Sequence, residues 1–77
     1  MSRPIKRSLT LNGHRTSVSL ENEFWHAFRE LAADQDQPLN VLAARIDAAR
    51  GVEIGLATAI RLFVLKELQS RQGPTAS

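Results

Sequence analysis

The side chains best placed to do chemistry in this sequence are cations gathered at one end. Residues 1–20 contain Arg3, Lys6, Arg7 and Arg15, with His14 and no carboxylate, while the rest of the chain holds six Lys or Arg against eight Asp or Glu. The formal net charge of +2 is thus +4 on the leading segment and −2 behind it. An acid-free basic segment on a mildly acidic body attracts polyanions, and nucleic acid is the first candidate. The bland alternative is a solvated face that merely keeps a small protein dispersed. The complete absence of acids weighs against it.

Other chemistry is poorly supported. His26 stands beside Trp25 without an acid or a nucleophile at any catalytic spacing, and His14 and His26 are too scattered to ligate a metal. There is no cysteine, no phosphate-binding glycine loop and no paired-carboxylate motif, so no catalytic residue, metal or cofactor is expected.

The elements that must carry the cations follow from periodicity. Leu9, Leu11, Val18 and Leu20 alternate with Ser8, Thr10, Ser17 and Ser19 on either side of Asn12-Gly13. Both central residues tolerate the positive φ of a type I′ turn, so a hairpin is predicted with Leu11 facing His14, Leu9 facing Thr16, Arg7 facing Val18 and Ile5 facing Leu20. One face is then mostly apolar. The other carries Lys6, Ser8, Thr10, Arg15, Ser17 and Ser19.

Three helices are predicted behind the hairpin. The first spans about Glu21 to Gln35, with a cap near Ser19 and with Phe24, Ala27, Phe28, Leu31 and Ala32 on one stripe and Trp25 at its border. Phe24 and Trp25 read as core rather than as a stacking platform for bases. After a polar break, Pro38 opens a second helix to about Arg50, with Leu39, Leu42, Ala43, Ile46 and Ala49 inward and Gly51 as its stop. A third, from Leu56 to Gln69, turns Leu56, Ile60, Phe63, Val64 and Leu68 to one side. Asp47, Arg45 and Arg50 are expected to form surface or intersubunit ion pairs.

A single domain over residues 5–69 results, with flexible tails at 1–4 and 70–77. So short a chain builds a thin core, and without disulfides or zinc the remaining staple is oligomerisation. No stretch approaches the roughly 20 apolar residues that cross a bilayer, and no secretory signal is legible, so a cytoplasmic location is the default expectation.

A basic alternating strand running into two short amphipathic helices resembles the ribbon-helix-helix superfamily of bacterial DNA-binding proteins. The resemblance rests on Arg15-Thr16-Ser17-Val18-Ser19-Leu20-Glu21, Glu23-Phe24-Trp25, Leu39-Asn40, Ile46-Asp47-Ala48-Ala49-Arg50 and Arg61-Leu62-Phe63-Val64-Leu65, and covers about Lys6 to Leu68. It implies a mainly α protein with a short N-terminal β segment that forms an intertwined homodimer. The dimer core would comprise Val18, Leu20, Phe24, Phe28, Leu31, Leu42 and Ile46. It also implies binding of double-stranded DNA by a small, non-enzymatic transcriptional regulator. Arg15, Ser17 and Ser19 would read bases in the major groove, and Arg3, Lys6, Arg7, His14 and the helix start at Leu39 and Asn40 would meet phosphates.

The sequence departs from that pattern at three places. Pro38 replaces the Ser usual ahead of the second helix. A second strand precedes the reading strand, so Ile5 to Leu11 is either a mobile basic arm lying beside the ribbon on phosphates or part of a four-stranded structural platform, too wide to enter the groove face on, in which DNA binding has been lost or changed. The third helix exceeds the minimal motif. It either enlarges the dimer core, builds a tetramer, or engages another protein as an antitoxin or adaptor does.

Overall fold

The computed structural model describes residues 2–71 and orders them as two strands followed by three helices: β1 (Ile5–Leu11), β2 (His14–Leu20), α1 (Asn22–Asp34), α2 (Leu39–Ala49) and α3 (Leu56–Arg71). The strands form one antiparallel hairpin whose register pairs Leu11 with His14, Leu9 with Thr16, Arg7 with Val18 and Ile5 with Leu20. Asn12 at φ 53° and Gly13 at φ 84° supply the turn. The expected pairing is reproduced residue for residue. It also removes the mobile-arm alternative, because Ile5–Leu11 is paired along its whole length.

Alternation then sets the layers. Leu9, Leu11, Val18 and Leu20 are buried against the helices, joined by Phe28, Leu31, Leu42, Ile60 and Val64. Five of the seven residues expected to form a dimer core (Val18, Leu20, Phe28, Leu31 and Leu42) are therefore buried within one chain, while Phe24 and Ile46 are half-buried at its margin. A helical stripe reports that a face is covered, not which chain covers it. Here β1 and α3, the two additions to the minimal motif, supply much of the cover.

The helix ends differ from expectation in instructive ways. The N-cap of α1 is Glu21, not Ser19, and it makes no side-chain cap of its own. Instead Ser2 reaches over: its Oγ accepts from the Asn22 backbone N–H at 3.1 Å and donates to Glu23 Oε1 at 2.6 Å. A hydroxyl some 20 positions upstream thus performs the capping task, which places Ser2 against the fold rather than in a free tail. At the other end, Asp36 adopts φ 56°. Its N–H donates to Ala33 O and that of Gln37 to Ala32 O, at 3.0 and 2.9 Å, a Schellman closure usually made by glycine. Asp36→Gly should therefore stabilise the domain by about 0.5–1 kcal/mol, read as a higher urea midpoint at unchanged slope.

α2 stops one residue short of Arg50, which bonds Asp47 Oδ1 at 2.7 Å within the chain. Ala49, expected inward, is exposed, and so is Leu68, at 43%. α3 runs two residues beyond its expected end, so Ser70 and Arg71 are helical, and Arg71 reaches Asp34 at 2.8 Å. Residues 72–77 of the expected tail, like Met1, lie outside the described residues. No described helix is long and apolar enough to cross a membrane.

Candidate nucleic-acid interface

The outer face of the hairpin is built by parity. Even residues of β1 and odd residues of β2 share it, which places Lys6, Ser8 and Thr10 beside Ser19, Ser17 and Arg15 as cross-strand neighbours, all exposed. No acid lies on this face. A shallow depression between Lys6, Ser8, Arg15, Thr16 and Ser17 runs across the two strands. Lys6 and Arg15 make no ion pair or hydrogen bond to another side chain among the described residues, so their charge is available to a ligand.

Arg7, also expected to meet phosphates, is placed apart from Lys6 and Arg15. Its odd position in β1 points it to the helices, where Nη2 donates to Asn22 Oδ1 at 2.6 Å and Leu20 O at 3.3 Å, and the guanidinium lies 5.2 Å from the centre of the Trp25 ring. Its Nε is buried with no partner. These contacts tie Arg7 to the β2–α1 corner rather than to the outer face. The pairing with Val18 already carried this parity signal.

The remaining expected contacts are scattered around the rim. Arg3 and His14 are exposed at opposite ends of the hairpin, His14 beside the turn. Asn40 stands against β1, its Oδ1 accepting the Thr10 backbone N–H at 3.1 Å, so the start of α2 is held at the hairpin edge. The first backbone bonds of α2 are those of Val41 and Leu42 to Pro38 O, which leaves the N–H groups of Leu39 and Asn40 ahead of them. Phe24 and Trp25 pack on the core, as expected, and offer no stacking surface on the sheet.

Sequence reasoning missed Arg61. It binds Glu21 with Nε–Oε1 at 3.0 Å and Nη2–Oε2 at 3.2 Å, donates to Ser19 O at 3.3 Å, and lies 5.8 Å from the Phe24 ring centre. The pair clamps α3 to the end of β2. Glu21 is held below the ordinary carboxylate range, first by a hydrogen bond from its own backbone N–H and then by Arg61. Glu23 is lowered first by the Ser2 hydroxyl. Because both values are depressed, these contacts are complete at neutral pH and fade only as the pH falls through the lowered values.

The family model described as a ribbon-helix-helix domain matches residues 4–68, which spans both strands and all but the end of α3. The chain belongs to the ribbon-helix-helix domain family. No curated protein and no solved structure matches it. Within this ribbon-helix-helix domain the match takes in β1 and most of α3, so the hairpin and third helix belong to the family's own frame rather than lying outside it. Among the described residues no three His, Asp or Glu side chains gather in a set that could hold a metal.

Proposed function

We propose that this is a dimeric, non-enzymatic DNA-binding protein, a small transcriptional regulator that meets the major groove with the outer face of its hairpin. The observation that carries the reading is the six-residue outer face, exposed and acid-free, with Lys6 and Arg15 unpaired among the described residues. Phosphate neutralisation by Arg3 and Lys6 supplies affinity, and Arg15, with Ser17 and Ser19, supplies base readout. His14 and the free N–H groups of Leu39 and Asn40 set register on the backbone.

The paired β1 constrains how the face is used. If β2 pairs with its own copy, as the family resemblance implies, the sheet has four strands and its outer backbones stand about 14 Å apart, three spacings of about 4.8 Å. A major groove about 12 Å wide does not admit that width. The outer strands then ride on the phosphate walls, which is where Lys6 sits, and only the central β2 side chains reach the bases. Arg15 is the long one among them.

Fluorescence anisotropy with mixed-sequence duplex DNA at two salt concentrations tests the reading. Binding should weaken steeply with salt, and Lys6→Ala should weaken it for all sequences alike while reducing the salt slope by about one for each phosphate that Lys6 neutralises. Undetectable or salt-insensitive binding would instead favour the second reading, an antitoxin-like or adaptor role for α3. That reading draws on Leu62, Leu65 and Leu68, which are 46%, 49% and 43% exposed.

A further inference from the structure

We infer that Arg61 of α3 is a positioning residue for the outer face of the hairpin: it occupies the Glu21 carboxylate and so keeps a negative charge from that face. The inference rests on the DNA reading above and names a residue outside the sheet on which that reading depends.

Glu21 is the first carboxylate of the sequence, and it stands directly after β2. Its backbone is still extended, at φ −63° and ψ 152°, so the alternation of the strand carries one residue past Leu20. On that parity Glu21 follows Arg15, Ser17 and Ser19, the residues that β2 gives to the outer face. Two residues of strand span about 7 Å, which puts Glu21 within one Debye length, about 8 Å at physiological salt, of Ser19. The cross-strand partner of Ser19 is Lys6. Glu21 is thus a diagonal neighbour of Lys6, and diagonal pairs, about 7–8 Å apart, are within reach of long side chains. A free Glu21 carboxylate would weaken the hold on a polyanion in two ways. It would repel the phosphates, and it would draw Lys6 away from them.

Arg61 opposes both effects. Its Nε donates to Glu21 Oε1 at 3.0 Å and its Nη2 to Oε2 at 3.2 Å, so the guanidinium fork meets both carboxylate oxygens. Nη2 also donates to Ser19 O at 3.3 Å, which ties the same group to the strand. The pair is largely covered, with the Glu21 side chain 16% exposed and that of Arg61 29%. Glu21 does not lose its charge by protonation near neutrality, because its own backbone N–H and then Arg61 hold it below the ordinary carboxylate range. Neutralisation therefore has to come from a cation, and the cation arrives from α3, 40 positions along the chain. This gives the third helix a part in the chemistry of the sheet that needs no second protein. The competing role is a plain staple joining α3 to β2. The two roles predict opposite consequences of removing Glu21 as well.

The test is a double-mutant cycle of Arg61→Met and Glu21→Gln, read by fluorescence anisotropy on mixed-sequence duplex DNA at low and at physiological salt. Arg61→Met should weaken binding about 3- to 10-fold at low salt, and by less at higher salt, where the uncovered charge is screened. Glu21→Gln should bind at least as tightly as wild type, since it removes an acid and frees a cation. Adding Glu21→Gln to Arg61→Met should restore wild-type affinity, and Arg61→Lys, which keeps the charge but not the fork, should retain most of it. Helical circular dichroism checks that each variant folds. A double variant that binds as weakly as Arg61→Met makes Arg61 a staple of the fold and overturns the inference, as does a folded Arg61→Met protein that binds like wild type. If Arg61→Met does not fold, Glu21→Gln decides alone, because weaker binding than wild type contradicts a repulsive Glu21. Wild-type protein without salt-dependent binding removes the DNA reading and this inference with it, whereas wild-type binding without the rescue removes only the role of Arg61.

Discussion

Phe28→Ala should cost about 3–5 kcal/mol of stability, a large share of what so small a domain has. Phe28 is fully buried, and its ring lies between Trp25, at 6.3 Å between centroids, and Phe63, edge-on at 6.4 Å and 85°. Truncation removes the transfer free energy of the ring and leaves a cavity that three elements must collapse to fill. A domain this small has a total stability of about 4–12 kcal/mol at typical per-residue values, so the loss is a large share of it. Urea unfolding followed by Trp25 fluorescence, at one fixed protein concentration because a dimer shifts with mass action, gives the number. The same truncation at half-buried Phe24 should cost clearly less. Comparable costs at both positions would mean that the core is not centred on Phe28.

That core was legible because its signals are local. Asn12-Gly13 fixes the turn type, the turn fixes the register, and the register decides the face of every residue from Ile5 to Leu20. Once Leu9, Leu11, Val18 and Leu20 were placed together, the first helix had to present Phe28 and Leu31 to them. The same parity placed Arg7 inward. Net charge groups Arg7 with Lys6 and Arg15, whereas its pairing with Val18 separates it from their face. Contacts between distant positions left no such trace. Nothing near Ser2 indicates that its hydroxyl caps a helix starting at Asn22, and Arg61 meets Glu21 only because α3 folds back across α1. Asp36 in the left-handed region is equally silent, since a polar break between helices admits many turns.

The outer face divides into residues whose identity and placement are separable. Parity made Lys6, Ser8, Thr10, Arg15, Ser17 and Ser19 neighbours, and the paired strands set them side by side. Their chemistry toward DNA depends on reach, which is a property of the side chain and not of the sheet. Ser17 and Ser19 are short and each can donate or accept, so they discriminate weakly between bases. The clamp of Arg61 on Ser19 O and Glu21 meanwhile keeps Glu21 occupied at the end of β2. Arg15, at the other end of β2, is the long donor without a side-chain partner among the described residues.

Arg15→Ala should accordingly flatten sequence preference rather than simply weaken binding. A guanidinium that donates twice to guanine O6 and N7 contributes roughly 1–3 kcal/mol of discrimination, so preference for a selected duplex over a scrambled one should fall about 5- to 150-fold per contact. The loss on scrambled DNA should be smaller, because there Arg15 offers only its charge. The measurement needs a preferred sequence first, which selection from a random duplex pool by the wild-type protein provides, followed by titration of both duplexes at one salt concentration. Lys6→Ala serves as the counterpart: it should lower affinity for both duplexes by the same factor. On the proposed reading the two roles are distinct because Lys6 would stand on the outer strand over the phosphate wall and Arg15 on the inner strand over the bases. If both variants lose specific and non-specific binding in equal proportion, Arg15 contributes only charge, and the hairpin is a backbone-binding surface with no readout.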